Sequence, residues 1–487
     1  MMQIQFKRQA LWGLAALGCV LPAVGMALPS LAQSTAMPKT GEPAGTAPSV
    51  MPAAAPTPQQ AQSFFNDAEK KASKGKYRDA WVEYDRALQA DPQFTQALLG
   101  RGVMSMQLGD RRNALADLTR VIEVDPNNAQ ALAQRGRLYY ELGNTSAALM
   151  DTDRALAIDP QLVAALVNRG YLQTQVGQPQ PAIVDLNQAV SMKPDDTAAL
   201  VNRGYTRSTQ AELESALADV NQAISINKKY APAYLNRGVI YEQLGQQESA
   251  LNDFNEAIKL KSDYVEAFFN RALLLADMGQ FTTAAKDLDQ VISLAPNLSD
   301  AYFRRAQVLV LLGDLTAALQ DYNQSLALRT NQPAVYTMRA DLRAQMQDYQ
   351  GAIQDYSAAL ALNQNDAAAL IGRGQAYLSI GDAINAVGDF TQAIEIDNQN
   401  AVAFEQRGQA YVKLRDAQSA LSDFDQALKL NPQSAEAFYY RGSIQAALGQ
   451  RQAAKTDLLQ AANLYRQQNQ GTGYRKTLAQ IAQLAAD

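Results

Sequence analysis

Two charged residues recur along the 487-residue chain at a fixed interval of 34. Arg101, Arg135, Arg169, Arg203 and Arg237 begin one series, which continues through Arg271, Arg305, Arg339, Arg373 and Arg407 to Arg441. Glu83, Asp117, Asp151, Asp185 and Asp219 begin the other, which runs on to Asp457. Local periodicity puts each Arg on the packing face of a helix, where an unpaired guanidinium carries a large desolvation cost. Two uses fit such a series: a ladder that fixes register between units, or a basic stripe for an acidic ligand. A counter-ion at the same period favours the ladder. The simplest partner is the acid of the preceding unit, as in Glu83 with Arg101 or Asp423 with Arg441, because the first unit has the acid and no Arg. Pairing within one unit is the alternative.

Little other chemistry is available. The chain has no histidine and one cysteine, Cys19. Histidine triads, histidine bases and histidine or multi-thiolate metal sites are therefore excluded. The formal net charge is −5, with no basic cluster, which disfavours binding to nucleic acid or to an anionic membrane. No glycine-rich phosphate loop is present, and the recurring Arg-Gly pairs lie inside predicted helices. The expectation is no catalytic residue, no cofactor and no metal.

The elements that carry the charged series repeat with them. With Ala61 as position 1 of a 34-residue unit, position 20 is Ala in all twelve units, from Ala80 to Ala454. Position 8 is Gly or Ala throughout, which permits close helix approach. Position 15 is Gly in nine units, where a helix end needs positive φ. Position 32 is Pro in six, such as Pro92 and Pro432, and ends a second helix. Positions 4, 7, 8 and 11 share one helical face, so the Arg at position 7 lies among the packing residues. This pattern resembles the tetratricopeptide repeat family over residues 61–468. The resemblance implies an all-α, right-handed superhelical solenoid of helix–turn–helix units. Departures fall at Ala211, Gln347 and Arg415, which replace the turn Gly, and at Lys228 and Gln364, which replace the Pro. Softer junctions are expected there. Repeat 1, with Asp67, Lys70 and Lys71, suits a solvent-facing cap. Residues 469–487 place Tyr474, Leu478, Ile481 and Leu484 or Ala485 at helical spacing and read as a closing helix.

In that family the opposite face of the first helix lines a concave groove. Here position 6 is Asn168, Asn202, Asn236 and Asn270 in four consecutive units, with Tyr171 and Tyr205 at position 9. A primary amide both donates and accepts, so such a row can hold a peptide backbone. The row is similar to the asparagine ladder of the O-GlcNAc transferase superhelix, without any transferase domain. Ordinary surface residues of shared ancestry are the other reading. Elsewhere the groove is expected to show Phe303, Gln307, Gln375, Gln409 and Tyr439. The Lys and Asn set that clamps chaperone carboxylates is missing.

Residues 1–32 read as an export signal, with Lys7 and Arg8 ahead of an apolar run, Ala10–Val24, that is short for a membrane span. Ser30-Leu31-Ala32 and Gly25-Met26-Ala27 are two candidate cleavage sites. A retained anchor, or a lipid on Cys19, would keep the chain at a membrane. Residues 33–60, rich in Pro and Ala, read as an extended linker. The functional expectation is an exported, non-catalytic scaffold, periplasmic or lumenal, that binds protein or peptide segments and supports an envelope or membrane complex. The alternatives are a self-assembling structural protein, for which Phe269 and Phe303 would supply apolar contacts, and an envelope saccharide-binding protein or enzyme.

Overall fold

The computed structural model describes residues 58–486. Its contacts divide them into two compact units, with the boundary in the chain between Pro296 and Asn297. The segments 1–32 and 33–57 lie outside the described residues. The described part contains twenty-five α-helices, α1 (Pro58–Ala72) to α25 (Gly471–Ala486), each joined to the next by a short turn. The first unit holds repeats 1–7 and the second repeats 8–12 with α25. A typical repeat pairs a 13-residue first helix with a 14-residue second helix, as in Ala231–Gln243 and Gln247–Leu260.

Small residues set the spacing. Every position-20 alanine, Ala80 to Ala454, is fully buried. At position 8, a Cβ on Gly238 would come within 2.6 Å of the Phe254 ring, so only a glycine lets that ring lie against the first helix. Caps fix the helix starts. Asp314, Asp382 and Asp416 accept hydrogen bonds from the backbone N–H groups of Ala317, Asn385 and Ser419, each cap contributing about 1 kcal/mol. Between repeats, Asp91 and Asp397 turn the chain by accepting from the N–H two residues on.

The turn within each repeat has one backbone form. Nine glycines carry positive φ there, such as Gly245 at 71°. Ala211, Gln347 and Arg415 adopt the same form, at 60°, 66° and 62°. The junctions expected to be softer thus keep the turn and carry the strain of a left-handed Cβ.

Within each unit, the first helices of neighbouring repeats also pack on one another, and the second helices make no comparable contact. The first helices therefore converge, and each unit curves with them on its inner side. At the amino-terminal end α1 already begins at Pro58, with Pro at the first helical position. At the other end α25 packs on the second helix of repeat 12. It does so through Tyr474 and the fully buried Thr477, while Leu478 is 42% exposed. Ile481 and Leu484 are half-buried on the same side, so Thr477 takes the inward place expected of Leu478.

Candidate protein-binding face

The periodic charges form a ladder whose wiring differs from the expected one. Each Arg grips the Asp sixteen residues later in its own repeat. Arg101 meets Asp117, Arg135 meets Asp151, Arg169 meets Asp185, Arg203 meets Asp219 and Arg237 meets Asp253. In each pair Nε and Nη2 donate to the two carboxylate oxygens. The pairing with the preceding repeat's acid is therefore corrected. Glu83, whose repeat lacks the Arg, is met instead by Lys71 at 2.7 Å. The geometry explains this: positions 7 and 23 face each other across the helix pair of one repeat, and the fork of a guanidinium matches the carboxylate bidentately. The Asp carboxylates are almost entirely buried. Their proximity pushes the guanidinium groups of Arg101, Arg135 and Arg237 above the usual range.

The third nitrogen reaches back. Nη1 donates to the preceding repeat at position 25, which is Asp85 for Arg101, Asn187 for Arg203 and Asn221 for Arg237. In the second unit Arg339 reaches Asn323 and Arg441 reaches Asp425. Register between repeats is carried by this bond. The residue that receives it varies among Asp, Asn, Ser and Thr, all of them acceptors. That variation hid it from a search for identical residues.

The asparagine row is not a surface. Asn168, Asn202, Asn236 and Asn270 are 8%, 2%, 1% and 1% exposed. Converging first helices close over position 6 in these repeats. Asn168 donates to the carbonyl of Ala133 in the preceding repeat (3.2 Å), and Asn236 donates to Pro232 O in its own helix (2.9 Å). Tyr171 is fully buried, its hydroxyl 3.0 Å from that of Tyr140 and the two rings edge to face. Tyr205 is half-buried and accepts from Gln175 at 3.4 Å. A buried Thr174–Thr206 hydroxyl pair (2.7 Å) completes a polar seam. These residues hold first helices together as folded, which corrects their assignment as groove lining open to a peptide. Phe269 and Phe303 are likewise buried, at 0% and 4%, so they offer no apolar surface for self-assembly. Gln307 is also buried.

The inner face stays open farther along. In repeats 9–12 the residues at positions 5, 6 and 9 are half-buried. Ile371, Gln375, Gln406, Gln409 and Tyr439 are among them. Three amides with free faces, flanked by an apolar and an aromatic side chain, can pair with the N–H and C=O groups of an extended segment. Gln406 and Tyr440, beside the positions singled out from the sequence, belong to the same row. They could have been found by following position 6 beyond repeat 7, where it ceases to be Asn.

Carboxyl groups on the inner side of both units are held toward their neutral form. Burial beside Asp277 pushes Glu242 up to about 7. Burial pushes Asp341 up to about 6, against the opposing effect of the Tyr356 hydroxyl that donates to it. Glu266 and Glu405 are raised by the same cause. Among the described residues no group of three or more His, Cys, Asp or Glu side chains is placed to hold a metal ion. No helix among them is long and apolar enough to cross a membrane.

Family models match the chain along most of the repeat series. One described as TPR repeat matches residues 240–279 and 340–381. Two described as Tetratricopeptide repeat match residues 105–163, 269–333 and 406–469, and residues 163–196 and 367–400. Together they span more than half of the chain. No curated protein matches the sequence. Among solved structures, a tetratricopeptide repeat protein from Parabacteroides merdae ATCC 43184 is 20% identical, with 52% of this chain and 99% of that chain covered and a TM-score of 0.43. The APC/C hetero-tetramer Cut9–Hcn1 is 14% identical, with 86% and 96% covered and a TM-score of 0.41. A thermophilic TPR protein of Thermus thermophilus is 27% identical, with 37% and 99% covered and a TM-score of 0.35. With its helix pairs, its recurring small residues and the family-model matches along its repeats, the chain belongs to the tetratricopeptide repeat family.

Proposed function

We propose that this chain is an exported, non-catalytic scaffold that binds an extended protein segment along the inner first-helix face of repeats 9–12. Tetratricopeptide repeat proteins typically mediate protein–protein interactions. The observation that carries the location is the change in burial along the inner face. Position 6 is closed from Asn168 to Asn270 and half-open at Gln406. Amides there would take the partner's backbone, and Ile371 and Tyr439 would pack its side chains. Export rests on Lys7, Arg8 and the uncharged stretch from Ala10 to Ala32. Its consequence is work in a periplasm or lumen, in the assembly of an envelope or membrane complex.

A photo-reactive side chain tests the location. Placed at Gln375 in the full chain in its native cells, it should capture a protein partner, and placed at Asn202 it should not. Capture from Asn202 alone would overturn the assignment. Cell fractionation with sequencing of the mature amino terminus tests export: a full-length cytoplasmic chain beginning at Met1 or Met2 would contradict it.

A further inference from the structure

The outer side of repeats 1–3 carries charges that neither the ladder nor the inner face uses. The second helices there are Tyr77–Ala90, Arg111–Val124 and Thr145–Ile158. Position 18 is Arg78 and Arg112 in the first two, and position 26 is Arg86, Arg120 and Arg154 in all three. From repeat 4 onward neither position holds a Lys or an Arg, and Gln predominates. Positions 18, 22 and 26 share one helix face, so stacked repeats set these arginines side by side. The chain is acidic overall and has no long run of basic residues, yet its fold assembles a basic patch from residues 34 apart. All five arginines are exposed. Arg78, Arg112 and Arg154 take part in no ion pair among the described residues. Arg86 and Arg120 make only local ones, 3.3 Å to Glu83 and 3.0 Å to Glu123.

Acidic neighbours do not cancel the patch. On these three helices Asp117 and Asp151 belong to the ladder, and Asp85 and Asp153 are held by Arg101 and Arg169. Glu83 is held by Lys71. Asp79 and Glu123 are left to offset the arginines. An apolar row at position 22 runs through the patch. Val82 is 41% exposed and Met150 60%, and Val184 continues the row into repeat 4 at 65%. Second helices form the convex side of the unit, which gives an extended chain little enclosure and suits a broad surface. Guanidinium groups match phosphate oxygens bidentately, and apolar side chains among them can enter the layer beneath lipid headgroups. We propose that the outer face of repeats 1–3 docks on an anionic phospholipid surface. The arginines would meet lipid phosphates, with Val82, Met150 and Val184 in the interface. The patch lies at the end of the series joined to residues 1–57. There Lys7, Arg8 and the apolar run Ala10–Val24 carry the export reading and would bring the chain to a membrane. The docking face is independent of the inner face of repeats 9–12.

A position-specific probe in the full chain tests this. Cys19→Ser removes the one native thiol, and Ala116→Cys, in the middle of the patch, carries an environment-sensitive nitrobenzoxadiazole label. The control label is at Gly388→Cys, the same position in repeat 10, where a side chain meets open space. Vesicles are made of phosphatidylcholine alone or of an equal mixture with phosphatidylglycerol. Fluorescence at position 116 should rise with the mixed vesicles and stay low with phosphatidylcholine. At position 388 it should stay low with both. The triple variant Arg78→Gln, Arg112→Gln, Arg154→Gln installs the residue type of the later repeats, so the fold is kept, which a thermal melt checks. It should raise the lipid concentration for half-response roughly a hundredfold, at the usual contribution of a basic residue near an anionic surface. No rise at position 116, an equal half-response in the arginine variant, or an equal rise at position 388 would overturn the proposal. A rise with polyglutamate and none with vesicles would overturn it too, and would assign the patch to an acidic protein.

Discussion

Arg237 holds Asp253 within its own repeat by two hydrogen bonds of 2.7 and 2.8 Å, and its remaining nitrogen crosses 2.8 Å to Asn221 in the repeat before. One side chain thus joins the two helices of a unit and ties that unit to its neighbour. The two jobs have different magnitudes. Arg237→Ala leaves the buried Asp253 carboxylate without its cation, at a cost on the order of 3 kcal/mol. Asn221→Ala removes one partly exposed bond, at a cost of about 1 kcal/mol. In an array stabilised by neighbour contacts, the second loss falls on coupling between repeats. Urea unfolding followed by circular dichroism should show a lowered midpoint for Arg237→Ala and a broader transition for Asn221→Ala. An unchanged midpoint for Arg237→Ala would remove the ladder from the account.

Arg415→Gly, Gln347→Gly and Ala211→Gly should each raise stability. The parent residues hold φ near 60°, where a Cβ costs roughly 1–2 kcal/mol. Glycine's greater freedom when unfolded returns about half of that, leaving a gain of roughly 0.5–1 kcal/mol. The reverse change, Gly245→Ala at φ 71°, should lower stability by a similar amount. Thermal melts of the four variants check the sign. A loss of stability in the three glycine variants would mean that their side chains make contacts that outweigh the strain.

Stability should rise as pH falls from 8 to about 5. Glu242 ordinarily titrates near 4.5 and is pushed up to about 7 by burial beside Asp277. A carboxyl raised in the folded state contributes most below its unfolded value, and the contribution is lost as pH climbs through the folded one. Glu266 and Glu405 shift in the same direction. Glu242→Gln, neutral at every pH, should flatten the profile by roughly 2 kcal/mol between pH 5 and pH 8. Melting temperatures across that range measure it. An unchanged slope in the variant would assign the pH dependence to other groups.

Asn168→Ala should destabilise without altering partner binding. It deletes the bond to Ala133 O and leaves a buried carbonyl with one acceptor site unfilled, a loss of about 1 kcal/mol. A urea midpoint and a partner titration on the same sample separate the two effects. A drop in affinity with stability intact would return the asparagine row to the binding face.

The repeat architecture was legible because its determinants are local. Ala at position 20, Gly or Ala at position 8 and a turn glycine each answer a contact within one helix pair. The Arg and Asp series was legible as a ladder for the same reason, while its wiring was not. The acid at position 23 and the acceptor at position 25 both lie near the guanidinium. Only three-dimensional geometry shows that Asp253 takes the fork and Asn221 the single bond. The face of Asn168 to Asn270 was misread because burial there depends on how tightly neighbouring first helices converge. A helical wheel places position 6 away from its own partner helix and is blind to the next repeat. The open amides Gln375 and Gln409 were visible as residue types, but their exposure relative to Gln307 was not.

The most direct test of the scaffold account is a pull-down from native extract with three baits: the parent chain, a Gln375→Ala, Gln406→Ala, Gln409→Ala variant, and an Asn168→Ala, Asn202→Ala variant. Each bait is first shown by circular dichroism to be folded at the working temperature. The account predicts one partner set held by the parent and the asparagine variant and lost from the glutamine variant. Retention by the glutamine variant, with loss from the asparagine variant, would contradict it.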